Sequence, residues 1–257
     1  MTVTVAMPYW GCPQYVGRAV RSVLAQTHRD LRLVVVGDGE EPPLDIDDER
    51  LTVYNLPENH GAYFAFQLIL EASPDEWHAP HGADDWTEPD HIERLLALGK
   101  DAVAVQTSWY HDARKEANPE GILNGHGRRG LHVGIFRSER LRAIGGYDPS
   151  TRLSQDTHVM RLLDLTGGYH RYYSEQPTYH RWKWAGSLTT APATDLSSPA
   201  RLAARAYNWP IFEHCIKLRH PHLIREYRDS LVPAEIRAEL DHHVGVLSSR
   251  LREAVAA

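Results

Sequence analysis

Apolar positions along the first hundred residues switch between two periods. Val3 to Met7 is a short run of β-formers stopped by Pro8, and Leu31 to Val36 is a continuous apolar run ending at Gly37-Asp38-Gly39. A run without polar alternation suits a strand covered on both faces. Leu51 to Tyr54 predicts a third strand and Ala102 to Gln106 a further one. Between them the spacing turns helical: Val16, Val20, Val23 and Leu24 share one face, as do Ala62, Ala65, Phe66, Ile69 and Leu70. Pro89 takes the first position of another helix, with Ile92, Leu95 and Leu96 inward and Gly99 as its stop. This alternation predicts an α/β chain with a mostly parallel, covered sheet.

After about residue 106 the pattern changes. Asp112 to Gly130 is polar and glycine-rich, which predicts a loop. His132 to Phe136 predicts a strand, and Ser138 a cap for a short helix closed by Gly145-Gly146. Asp156 to Thr166 predicts a helix with Val159, Leu162 and Leu163 on one side. Tyr169 to Tyr173 and Thr178 to Trp182 predict two strands, and Ala185 to Pro199 a loop. The remainder is helical. Ser198-Pro199 predicts a cap and first turn, Pro210 a kink or break, and Pro233 the start of a last helix with Ile236, Leu240, Leu247 and Leu251 in one stripe. That stripe either packs on the domain, the reading we favour, or pairs two subunits as a homodimer.

Bulk properties narrow the function. The chain has 257 residues, a formal net charge of −6 and a pI near 6.2. A mildly acidic chain without a basic block is a poor nucleic-acid binder. Two cysteines, Cys12 and Cys215, make neither a disulfide framework nor a zinc site. The opening residues read as a strand rather than a leader, and no stretch approaches the ~18 apolar residues of a membrane span. The expectation is a cytoplasmic protein, peripheral at a membrane at most.

Three acidic positions could carry chemistry. Asp38 ends a buried strand, where α/β sheets bind ligands; Asp-Gly is also an ordinary turn. Asp84-Asp85 follow in a loop, and adjacent carboxylates suit a hard cation such as Mg²⁺ or Mn²⁺ that shares substrate phosphates; they also suit a solvated acidic loop. Asp156 opens a helix, where the dipole favours its charged form and where it could take a proton from a hydroxyl. Trp182 and Trp184, near a strand end, could stack on a sugar ring or fill a core. Taken singly, each signal is weak.

Their order is more specific. The start Val3-Thr4-Val5-Ala6-Met7-Pro8-Tyr9, the run Ser22 to Thr27, the strand ending Val36-Gly37-Asp38-Gly39, and Asn59-His60-Gly61 occur in sequence. Ala83-Asp84-Asp85, Gly145-Gly146-Tyr147-Asp148, Gln155-Asp156 and Gly186-Ser187-Leu188-Thr189 follow. Over roughly residues 2 to 190 this series resembles the family-2 glycosyltransferases of the GT-A fold. The resemblance implies a Rossmann-like, mostly parallel sheet with flanking helices and a helical C-terminal tail. It implies a nucleotide-sugar-binding half at 1–106, an acceptor-binding half at 107–195 and a tail at 196–257. It further implies that Pro8, Tyr9, Asp38 and Asp84 contact the nucleotide and that Asp84 and Asp85 hold Mn²⁺ or Mg²⁺. Asp156 would be the general base, and Trp182 and Trp184 would face the acceptor. The implied reaction moves a sugar, most simply from a UDP-sugar, to an acceptor hydroxyl with inversion.

Departures from the family pattern are local. Gly82 stands where the metal motif has its first Asp, Phe66-Gln67 where the second helix has Arg-Asn, and Trp184 and Ala185 where His-Pro is usual. They support an alternative: a catalytically impaired relative that binds a nucleotide or a partner. A sugar nucleotidyltransferase is disfavoured, because no Gly-rich loop followed by Lys lies near the N-terminus.

Overall fold

The structure is a computed structural model that describes residues 1–99, 104–111, 116–117, 134–166, 171–182 and 184–256. Its sheet holds β1 (Val3–Tyr9), β2 (Leu31–Asp38), β3 (Leu51–Leu56), β4 (Trp77–Pro80), β5 (Trp86–Thr87), β6 (Ala104–His111), β7 (Glu116–Ala117), β8 (Gly134–Arg137) and β9 (Arg171–Arg181). The order is β3-β2-β1-β4-β8-β6-β9-β5, with β7 on β6. The long registers, β1 with β2 and β4, β2 with β3, and β6 with β9, are parallel. β8 runs antiparallel between β4 and β6.

The helices are α1 (Pro13–Leu24), α2 (Ala62–Ala72), α3 (His91–Leu98), α4 (Ser138–Ala143) and α5 (Gln155–Leu165). The tail adds α6 (Pro199–Leu218), α7 (Pro221–Leu231) and α8 (Ala234–Ala256). Strand side chains alternate faces. Val3, Val5, Met7, Leu33 and Val35 pack against α1 and α3. Ala6, Val34 and Val36 pack on the other face with α2, α5 and the tail. Phe64 to Leu70 is buried all round the helix, because α8 covers the side of α2 that faces away from the sheet. Leu240, Leu247 and Leu251 of α8 are buried there, each contributing about 1.5–3 kcal/mol. The apolar stripe of the last helix is thus used within the domain.

Several boundaries differ from the sequence reading. β4 was not delimited in the sequence, and β5 begins at the end of the loop expected around Asp84-Asp85. The helix expected at Pro89 begins at His91, with Asp90 in the cap position. Ser138 is the first residue of α4 and its side chain caps nothing. The two strands expected at 169–173 and 178–182 are one strand, β9, which crosses a bulge opposite Thr107 and Trp109. α6 runs through Pro210: the proline forfeits one backbone bond, and Asn208, Ile211 and Cys215 stay buried across it. Ser198 behaves as expected, its hydroxyl accepting from the Arg201 N–H at 3.2 Å. Most of the loop expected at 112–130 and the glycines at 167–168 lie outside the described residues.

Candidate active site

The parallel strands β1, β2 and β4 all end along one rim of the sheet, and a cavity of about 1110 Å³ opens there. Pro8 and Tyr9 from β1, Asp38 from β2 and Pro80 from β4 line it, joined by Asp84, Asp85, Asp156, Arg181, Trp182 and Trp184. Every site residue expected from the sequence therefore meets in one cavity at the carboxyl edge of the sheet, the place where open α/β sheets bind ligands.

The Asp38 carboxylate is buried and braces the site. It accepts from the backbone N–H groups of His60 at 2.7 Å and Gly61 at 2.8 Å, while Asn59 Nδ2 donates to its carbonyl. These bonds fix the turn that starts α2, where Gly61 takes φ +97°. Tyr9 donates its hydroxyl to Glu40 at 3.2 Å, and Gly11 N–H donates to the other Glu40 oxygen at 2.8 Å. Burial and the Glu40 charge hold the Tyr9 phenol protonated, well above its usual range. Glu40, unnoticed in the sequence, therefore ties the end of β1 to the loop after β2.

The acid pair divides its labour. Asp85 is buried, and both its oxygens are taken: Oδ2 accepts from the Tyr179 hydroxyl at 2.8 Å and Oδ1 from the Trp182 N–H at 2.8 Å. The Tyr179 hydroxyl in turn accepts from the Gly82 N–H at 3.0 Å. Asp84 accepts from Trp184 Nε1 on Oδ2 at 2.9 Å; among the described residues its Oδ1 has no hydrogen-bond partner. Burial first, then the neighbouring Asp85 charge, push the Asp84 carboxyl up to about 6. Asp85 is raised too, mainly by burial, against the pull of Arg181 and its hydrogen bonds.

Gly82 now has a physical reason. A Cβ there would lie 2.6 Å from Asp85 Oδ2 and 3.0 Å from Asp84 Oδ1, so the folded acid pair occupies the space a side chain would need. Similarly, the Trp184 indole lies over Gly186, where a Cβ would meet its ring at 2.2 Å. Gln67 and Phe66 are also explained. Gln67 accepts from Tyr147 N–H at 2.7 Å and donates to Glu71 at 2.6 Å, joining α2 to the Gly145-Gly146-Tyr147-Asp148 turn. Phe66 is buried against Tyr147, with ring centroids 5.4 Å apart. Replacing Tyr179 by Phe leaves the Gly82 N–H and Asp85 Oδ2 without partners, about 1–3 kcal/mol for each buried group. We expect Tyr179→Phe to lower the denaturant midpoint and weaken ligand binding in this cavity, read by urea titration and calorimetry; an unchanged midpoint would contradict the bracing role.

Asp156 is the second residue of α5. Its Oδ1 accepts from the Thr157 N–H at 2.8 Å. Burial raises its carboxyl, opposed by that amide and by Arg201, Arg181 and Arg205. Tyr63 lies beside it, held protonated by burial and by the Asp156 charge. Arg201, buried on α6, donates to the carbonyls of Leu188 and Thr194 and so locks the loop after β9 over the cavity. Trp182 packs its ring near Tyr15, Trp86 and Arg18.

Among the described residues no three His, Cys, Asp or Glu side chains form a preformed metal cage. A hard cation needs only one or two carboxylates when substrate phosphates complete its shell. The open Asp84 Oδ1 fits that need. Trp184 cannot ligate, because an indole N–H is only a donor.

These features belong to a known class. The family described as glycosyl transferase family 2 matches residues 4–146, and the chain belongs to that family. Its fold is GT-A and its activity is glycosyl transfer. A glucosyl-dolichyl phosphate glucuronosyltransferase of Haloferax volcanii is 29% identical over 70% of this chain and 69% of its own. Similar solved structures include S. aureus TarS 1-349 in complex with UDP-GlcNAc, with a TM-score of 0.62 at 13% identity over 98% of this chain and 92% of that one. Another is the mannosyltransferase PcManGT of Pyrobaculum calidifontis in complex with GDP-Man and Mn²⁺, with a TM-score of 0.55 at 15% identity over 99% and 86%. No helix among the described residues is long and apolar enough to cross a membrane.

Proposed function

We propose that this glycosyltransferase moves a sugar from a nucleoside-diphosphate sugar, a UDP-sugar first, to an acceptor hydroxyl with inversion at the anomeric carbon. The observation that carries the proposal is the meeting of Asp38, Asp84 and Asp156 in one cavity, with Asp84 keeping an open oxygen and Asp156 held at a helix N-terminus. The nucleotide-sugar complexes of TarS and PcManGT support a donor of this class. Pro8, Tyr9 and the Asp38 turn shape the nucleoside end. Asp84 is the metal-facing carboxylate, and Asp85 sets its position through Tyr179 and Trp182. Bound Mn²⁺ or Mg²⁺ would offset charge on the leaving diphosphate.

Asp156 takes the proton of the acceptor hydroxyl. The acceptor oxygen bonds to the anomeric carbon as that carbon's bond to the diphosphate breaks, and the electron pair leaves with the diphosphate. Holding both reactants in line supplies much of the acceleration. Residues 1–106 serve chiefly the donor and 107–195 chiefly the acceptor, with Trp182 and Trp184 offering ring faces. The tail, 196–257, contributes Tyr207, Leu231, Pro233 and Ile236 to the same cavity. These apolar walls, together with the dolichyl-phosphate relative, favour an acceptor with an apolar portion that is reached at a membrane surface.

The test is donor turnover across UDP-, GDP- and TDP-sugars with water as acceptor, reading released nucleoside diphosphate and, by proton NMR, the first anomer formed. One donor class consumed with inverted sugar released is expected. Retained configuration would contradict the single displacement, and no turnover of any donor would favour the catalytically impaired alternative.

A further inference from the structure

The cavity must accommodate a leaving diphosphate, yet α2 brings no cation to it: Phe66 and Gln67 are both buried, and Gln67 is spent on Tyr147 and Glu71. Among the described residues three arginines line the cavity. Arg152 is committed to the side chain and carbonyl of Asn59, and Arg201 to the carbonyls of Leu188 and Thr194. Arg181, the last residue of β9, is half-buried, and among the described residues it has no hydrogen bond and no ion pair within 4 Å. Strand side chains repeat every second residue. Arg181 therefore shares a face with Tyr179, whose hydroxyl sits on Asp85 and Gly82. The next residue, Trp182, gives its N–H to Asp85. The guanidinium is thus brought to the floor beside the acid pair, and its field reaches Asp84, Asp85 and Asp156. A fork of five donors without partners, facing a cavity and flanked by carboxylates that it does not bind, matches an anionic ligand with several oxygens.

We infer that Arg181 binds the diphosphate of the donor and stabilises it as the leaving group, supplying from β9 the positive charge that α2 lacks. The inference rests on the nucleotide-sugar reading of the cavity. It also follows from the geometry at Asp84. With Oδ2 held by Trp184, that carboxylate offers a cation a single oxygen, so the neighbouring guanidinium carries more of the charge on the phosphate. Nucleoside diphosphate binding by the wild type should then survive chelation in part.

The experiment is calorimetric titration of wild type, Arg181→Gln and Arg181→Met with UDP and UMP, and in parallel with GDP and GMP, each in Mn²⁺ and in EDTA. Wild type should bind the diphosphate more tightly than the monophosphate. Both variants should lose that preference by roughly 10- to 100-fold, the size of a charge-assisted contact, with monophosphate affinity kept and diphosphate binding now dependent on Mn²⁺. An unchanged diphosphate preference in the variants overturns the inference while leaving the donor site standing. Loss of monophosphate binding together with a lowered unfolding temperature in both variants makes Arg181 a structural residue and overturns it as well. Wild type that binds no nucleotide removes the donor reading itself.

Discussion

Asp156→Asn is expected to bind nucleoside diphosphate as the wild type does and to lose turnover by roughly 10²- to 10⁴-fold. The change keeps the shape and still offers an oxygen to the Thr157 N–H, but it removes the group that takes the acceptor proton. kcat should fall while the donor KM holds, the mark of an interaction used in the transition state. The environment of Asp156 adds a second expectation. Burial holds its carboxyl above the ordinary range, so the ionised form is disfavoured by folding. Its contribution to stability is present below the ordinary carboxylate pKa of about 4 and is lost as pH rises through the higher folded value. The neutral asparagine should therefore raise the unfolding temperature at pH 7, with the gain shrinking toward pH 4. For the same reason the acid limb of the wild-type rate profile should lie above pH ~4. A variant with normal turnover would remove Asp156 from the mechanism, and one that is merely unfolded would show a lower unfolding temperature.

Asp84→Asn is the second large effect. The asparagine can still accept from Trp184 Nε1, so the packing of that indole over Gly186 is kept. What goes is the charge on the one open oxygen. Nucleotide affinity in Mn²⁺ should drop to the value measured in EDTA, and turnover should fall roughly 10²-fold or more, the loss typical of removing one group that stabilises developing charge. Affinity that still responds to Mn²⁺ would place the cation elsewhere. Asp85→Asn should behave differently. Because its partners are Tyr179 and the Trp182 backbone, its main cost should appear in stability.

Much of this was legible in the order of residues. α1, α2 and β2 carry apolar periodicity over two turns or more, or an unbroken apolar run, and such signals survive tertiary context. The short strands were not legible. β4 is four residues with a histidine and a proline among them, and its strand character comes from pairing with β1. β9 read as two pieces because a bulge interrupts its register. At Pro210 a local rule lost to packing, since the buried Asn208, Ile211 and Cys215 hold α6 together on both sides of the proline.

The site divided in the same way. Asp38, Asp84 and Asp156 were weak signals singly, because carboxylates at strand and helix ends also serve as ordinary turn and helix-start residues; their order along the chain is what singled them out. Their supports carried no such signal. Nothing in the sequence says that Glu40 holds Tyr9 and Gly11, or that Tyr179 bridges Gly82 and Asp85. Gly82 read as a loss, and only the position of the folded acid pair shows it as a fit. Arg181 was hidden among the other arginines until the strand showed which face it shares.

The central claim is that the cavity at the carboxyl edge of the sheet is a nucleoside-diphosphate site. Calorimetric titration of the wild-type protein with UDP, GDP and TDP, each in Mn²⁺ and in EDTA, tests it most directly. Saturable binding of one base, UDP first, strengthened by Mn²⁺ and retained in part in EDTA, is the predicted result. Failure of all three nucleotides to bind in either buffer would contradict it.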